Sequence, residues 1–131
     1  MFKYIRTINS CSRMIETVKL PQPAPENIPC YIGCICSVSE GKITNTISQN
    51  TARYLVLSNP DKNGEQTCLR IMPGMILDAT TYSDASEFKL GDSAEFYTNM
   101  EGNVDCIELG GYDCEIIDTS PEGGGVRVIV L

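Results

Sequence analysis

With 131 residues, 42% hydrophobic and 21% charged, the chain is long enough for one domain with a real core. It has no histidine, which excludes histidine acid–base chemistry, Ser-His-Asp and Cys-His dyads and Cys₂His₂ zinc sites. Its net charge of −7 repels nucleic acid, so direct DNA or RNA binding by the folded part is not expected.

The charge is unevenly spread. Residues 1–20 carry Lys3, Arg6, Arg13 and Lys19 against Glu16, whereas twelve acids and one base, Lys89, fall between Asp78 and Glu122. A basic N-terminal segment of this kind suits docking on an acidic partner, which makes Lys3, Arg6, Arg13 and Lys19 the candidate partner-binding residues. The acids keep a β-rich surface soluble. The apolar runs are far shorter than the ~20 residues that span a bilayer, so no membrane insertion is expected. No secretion signal is visible near Lys3 and Arg6, because Thr7, Asn9, Ser10 and Ser12 interrupt any apolar stretch. Synthesis and use in a cytoplasm follow as an expectation.

Residues 1–20 alternate only weakly between apolar and polar, a pattern that suits an extended strand or an arm added to a neighbour's sheet. Pro21, Pro23, Pro25 and Pro29 then forbid helix and remove backbone donors, making 21–29 a stiff extended linker. The chain therefore divides into an N-terminal arm with its proline linker, 1–29, and a β-domain, 30–131.

Cys30 to Val38 is an apolar run rich in strand formers. Ser39-Glu40-Gly41-Lys42 turns the chain, and Lys42 to Ile47 returns. Arg53 to Leu57 is a strand. Asn59-Pro60-Asp61-Lys62-Asn63-Gly64 is a loop, with Pro fixing φ and Asn-Gly taking positive φ, and Thr67 to Ile71 pairs back across it. Pro73-Gly74 marks a turn before a strand from Met75 to Ala79. Tyr82 to Phe88 suits a short helix capped by Ser83 or Asp84. Strands over Glu95 to Thr98, Val104 to Leu109, Cys114 to Ile117 and Val126 to Leu131 follow, the last two joined by a hairpin turn at Pro121-Glu122-Gly123-Gly124-Gly125. Short strands every 8–12 residues predict an all-β fold, a small β-sandwich or barrel with an extended N-terminal arm.

The chemistry-bearing residues are few. Seven cysteines, an odd number without a secretion signal, read as reduced and mostly buried thiols. In a continuous strand Cys30, Cys34 and Cys36 would share one face, which leaves a thiolate metal-binding or redox module as the alternative reading, although their spacings are not those of a zinc knuckle. Asp113, Glu115 and Asp118 lack the alternation and central Gly of a calcium loop. A small β-barrel enzyme using paired carboxylates is a third reading, weakened by the absence of Trp as a sugar platform. Gly123-Gly124-Gly125 has neither the Lys-Ser/Thr nor the helix start of a phosphate loop. No catalytic residue, cofactor or metal ligand is assigned.

The series Leu90-Gly91-Asp92, Gly102-Asn103, Gly110-Gly111, Cys114-Glu115-Ile116-Ile117-Asp118 and Val126 to Leu131 resembles the C-terminal β-domain of small head-decoration, or auxiliary capsid, proteins of tailed bacteriophages. The resemblance spans roughly residues 53–131 and is one of cadence. The cysteine content and the proline-stiffened N-terminus depart from it. It implies a non-enzymatic structural protein of the virion capsid, assembled in the host cytoplasm. It also implies a homo-oligomer, a trimer by expectation, bound to the major capsid protein.

Overall fold

A computed structural model describes residues 1–8, 16–48 and 50–131. Arg13, Cys11 and the other residues of 9–15 lie outside the described residues, as does Gln49. Among those described, eleven strands join one sheet system: β1 (Phe2–Thr7), β2 (Thr17–Pro21), β3 (Ile35–Ser39), β4 (Lys42–Thr44), β5 (Tyr54–Val56), β6 (Glu65–Arg70), β7 (Met75–Thr81), β8 (Ser93–Thr98), β9 (Val104–Leu109), β10 (Cys114–Asp118) and β11 (Val126–Val130). A 3-10 turn, Ala85–Glu87, follows β7, with the Asp84 carboxylate accepting from the Ser86 amide as its cap. The protein is all-β.

Strands β7 to β11 close on themselves. β7 pairs antiparallel with β11, β11 with β10, β10 with β8 and β8 with β9, and a parallel pairing of Thr80–Thr81 with Cys106–Ile107 returns the sheet to β7. Closure removes the open edges that an acidic meander would otherwise expose. Period-two alternation fills the barrel: Leu77 and Ala79 of β7, Ala94 and Phe96 of β8, Ile107 of β9, and Val126, Val128 and Val130 of β11 all lie in one apolar core. The intervening residues turn outward. None of the twelve acids between Asp78 and Glu122 is buried.

Strands β2 to β6 form a second, open unit. β3 pairs with β4 and β5, β5 with β6, and β6 with β2; β2 and β4 approach without pairing. A single register pair, Ile35 with Val104, joins this unit's backbone to the barrel. Side chains do more, since Ile35, Leu55 and Leu69 enter the barrel core. A smaller core of Cys30, Cys36, Ile43, Val56 and Cys68 fills the open unit. Arg53 adds a further tie: it is paired with Asp113 at 2.6 Å and stacked 4.8 Å from the Phe96 ring.

The N-terminus differs from the expected arm. Strands β1 and β2 pair with strands of the domain expected at 30–131 and are not set apart from it. β1 runs antiparallel to β7, from Phe2 opposite Ala79 to Thr7 opposite Met75. Phe2 is buried in the core and meets Phe96 edge to face at 5.4 Å. β2 pairs along its whole length with β6, from Thr17 opposite Leu69 to Pro21 opposite Glu65. The weak alternation marks strands whose partners lie in the same chain, 44 to 77 residues away. The proline stretch after Pro21 packs back on the 59–66 hairpin, where the Gln22 amide donates to Gly64 at 2.8 Å.

Cys30 to Val38 is also interrupted. The chain turns at Tyr31–Cys34, where the Cys34 amide donates to the Tyr31 carbonyl, and Gly33 takes φ +87°. The strand starts only at Ile35.

Candidate functional site

The register places a row of alternating charge on the outer face of four strands. Lys3 stands opposite Asp78, Asp78 opposite Arg127, and Arg127 opposite Asp118. Arg127 grips Asp78 bidentately, Nε to Oδ1 at 2.7 Å and Nη2 to Oδ2 at 3.2 Å. The hydrogen bond to Asp78 raises the Arg127 pKa above its already high value. Lys3, Ile5, Thr80, Glu122 and the glycine turn complete a cleft of about 480 Å³ over this row. The cations and carboxylates there answer one another, which gives the row a packing and register role.

Of the four cations singled out from the sequence, the three described, Lys3, Arg6 and Lys19, do not converge. Lys3 and Arg6 are exposed on β1, at one end of the strand order. Lys19 is exposed on β2, at the other end, and donates to Asp61 at 2.9 Å. That hydrogen bond raises the Lys19 pKa and lowers that of Asp61. Arg13 lies outside the described residues.

Six of the seven thiols, Cys30, Cys34, Cys36, Cys68, Cys106 and Cys114, are buried and unbridged. Burial pushes Cys30 and Cys114 up to about 12 and Cys106 up to about 11. Burial likewise raises Cys34. In Cys36 a hydrogen bond with Cys68, and then burial, hold the proton on sulfur, while the same bond lowers Cys68 against the effect of burial. Thiols so far above neutrality are poor nucleophiles and poor metal ligands. The turn at Tyr31–Cys34 breaks the shared strand face expected of Cys30, Cys34 and Cys36. The small core instead joins Cys30 and Cys36 to Cys68 of β6. Among the described residues no group of three His, Cys, Asp or Glu side chains is placed to hold a metal ion.

The carboxylates are equally dispersed. Asp113 is engaged by Arg53 and by the Phe96 amide at 2.9 Å. Glu95 and Glu108 stand directly opposite each other, but Glu108 Oε1 accepts from Ser83 Oγ and the Leu109 amide, both at 2.8 Å. Gly123–Gly125 forms the expected turn between β10 and β11. Among the described residues no helix is long and apolar enough to cross a membrane.

Two buried polar side chains escaped the sequence reading. Gln66 is 1% exposed and Asn103 5% exposed, and each keeps an amide oxygen without a partner among the described residues. The Gln66 amide nitrogen is held by the carbonyls of Cys30 at 2.8 Å and Ser58 at 3.1 Å. Nothing in the sequence distinguishes Gln66 from a solvent-facing glutamine, because its burial depends on the proline segment that covers it.

Compared with known protein families, known proteins and solved structures, the chain matches none.

Proposed function

We propose that this chain is a non-enzymatic structural protein of a virion, which binds the major capsid protein as a homo-oligomer, a trimer by expectation, and stabilises a bacteriophage capsid. One observation carries the assembly part of this reading. The part of the cadence of residues 53–131 that runs from Met75 to Val130 belongs to a closed barrel with every acid outside its core, while β1, β2 and β4 each have a single strand partner among the described residues. Strands paired on one side offer main-chain donors and acceptors to a neighbour's strand. An acidic outer surface keeps a particle that carries many copies in solution. The phage capsid itself enters through the resemblance of that cadence to head-decoration proteins.

The thiolate alternative has in its favour the gathering of Cys30, Cys36 and Cys68 in one core. It has against it Cys30 held protonated by burial, Cys36 held protonated by its bond to Cys68 and by burial, and, among the described residues, no three ligands placed for a metal. The dispersed carboxylates likewise give little support to a glycosidase-like reading.

Co-expression with the major capsid protein encoded in the same genome tests the proposal. Purified particles should carry this chain in a fixed ratio to coat subunits. Particles free of it, with the chain remaining in the soluble fraction, would refute the capsid role.

A further inference from the structure

Asn63 and Gly64 close the hairpin between β5 and β6 and take no part in the core or the charge row. They form the one Asn-Gly pair in the chain. Asn63 is exposed, and its side-chain amide makes no hydrogen bond among the described residues, so it can rotate. Gly64 takes φ +72° and brings no Cβ beside its main-chain nitrogen. Asp61 holds the main chain around the pair. Its Oδ1 accepts from the amides of Asn63 at 2.8 Å and Glu65 at 3.0 Å, and its carbonyl accepts from the Gly64 amide at 2.9 Å.

We propose that Asn63 is a site of spontaneous deamidation and isoaspartate formation, gated by Asp61. The Gly64 main-chain nitrogen loses its proton to solvent and attacks Asn63 Cγ. The new bond closes a five-membered succinimide, and the side-chain nitrogen leaves as ammonia. Water then opens the ring at one of its two carbonyls. Opening at Cγ leaves an ordinary aspartyl residue, and opening at the main-chain carbonyl leaves an isoaspartyl residue. Water is the only co-reactant, and it reaches an exposed loop tip freely. A Cβ on the following residue would crowd the ring closure, and glycine has none. Opposing the reaction is the hydrogen bond from the Gly64 amide to Asp61, which engages the attacking nitrogen. The reaction therefore proceeds from molecules in which this turn has opened locally. Either product adds a carboxylate two residues from Asp61. The isoaspartyl form also lengthens the main chain by one carbon next to Gly64, whose carbonyl accepts from the Gln22 amide at 2.8 Å. Isomerisation thus loosens the proline segment from the hairpin. This inference does not depend on the capsid reading.

Incubation of the full chain in mildly alkaline buffer, followed by proteolysis and mass spectrometry with electron-transfer fragmentation, tests it. Residue 63 should gain the mass that separates a carboxyl from a carboxamide before any other asparagine does, and part of the product should be isoaspartyl. A synthetic peptide of residues 59–66 should convert severalfold faster than the folded chain, because its turn is open. Asp61→Ala frees the Asn63 and Glu65 amides and should speed conversion in the chain severalfold. Gly64→Ala should slow it severalfold; if that variant does not fold, the order of conversion among the asparagines of the wild-type chain decides. No conversion at residue 63 over a period in which the peptide converts fully, or conversion of other asparagines first, would overturn the site. A rate unchanged by Asp61→Ala would overturn the gate.

Discussion

Gly125 sits against the carbonyl oxygen of Ala79 so closely that a Cβ at position 125 would fall well inside van der Waals contact with backbone. The contact joins the turn before β11 to β7, the strand shared by the barrel and β1. Gly125 also has φ +67°, a region that L side chains rarely adopt. Its neighbour Gly124 has φ +82° but open space around it. Gly124→Ala should therefore cost about 1–2 kcal/mol, the left-handed penalty alone. Gly125→Ala should cost about 3 kcal/mol or more, because backbone must also move. Urea unfolding of the two variants checks the difference, and equal costs would contradict the close approach.

Because β1 is an integral strand, shortening the chain from its N-terminus should damage the fold. Phe2→Ala removes a buried ring packed on Phe96 and should lose about 3–5 kcal/mol. Deletion of residues 1–25 removes both β1 and β2 and should leave no cooperative unfolding transition. A stable, cooperative truncated chain would show that the barrel does without them.

The buried thiols predict the alkaline limit of stability. Cys30, Cys106 and Cys114 have an ordinary pKa of 9.0 when unfolded and about 11 to 12 when folded. Above pH 9 the unfolded chain releases thiol protons that the native chain retains, so the native state binds more protons and stability falls as pH rises. The contribution is full below pH 9 and is lost through pH 12, at up to about 1.4 kcal/mol per pH unit for each thiol. Denaturant midpoints measured from pH 7 to 10.5 should stay level from these groups up to pH 9 and then decline. Cys114→Ala should soften the decline. A midpoint that rises above pH 9 would contradict the burial.

Acids that face water should tolerate change where they have no partner. Glu101 is exposed at a turn, so Glu101→Lys should shift stability by less than about 0.5 kcal/mol. Asp78 holds Arg127 bidentately and is only partly exposed, so Asp78→Ala should cost about 1 kcal/mol. Val128→Asp puts a charge at the fully buried centre of β11 and should abolish folding. Thermal melts of the three variants rank them. A Glu101→Lys variant as damaged as Val128→Asp would overturn the outward assignment of the acids.

Strand positions with strong local signals were readable in the sequence. Val104–Leu109 has the bounds that its alternation suggests, and Pro121–Gly125 turns β10 into β11. Of the two caps the sequence offers, Ser83 and Asp84, the structure uses Asp84, and the helix it caps is one 3-10 turn. What escaped was set by distance along the chain. β1 and β2 carry little alternation, and their membership in the sheet depends on partners at Ala79 and Leu69 that no local pattern announces. The four prolines suggested a tether between two parts, yet the same stiffness holds the segment as a cover over Gln66. The six described thiols are buried and unbridged as expected, whereas the shared strand face of Cys30, Cys34 and Cys36 is broken at Gly33, whose positive φ turns the chain between Cys30 and Cys36.

The central claim, that this chain stabilises a capsid, is tested most directly by the rupture temperature of particles with and without it, read by release of packaged DNA to an external dye. Decorated particles should rupture at a higher temperature than bare ones, and adding purified chain back to bare particles should restore the difference, because a protein that binds only the intact lattice stabilises it by mass action. Equal rupture temperatures for bare, decorated and restored particles would contradict the claim.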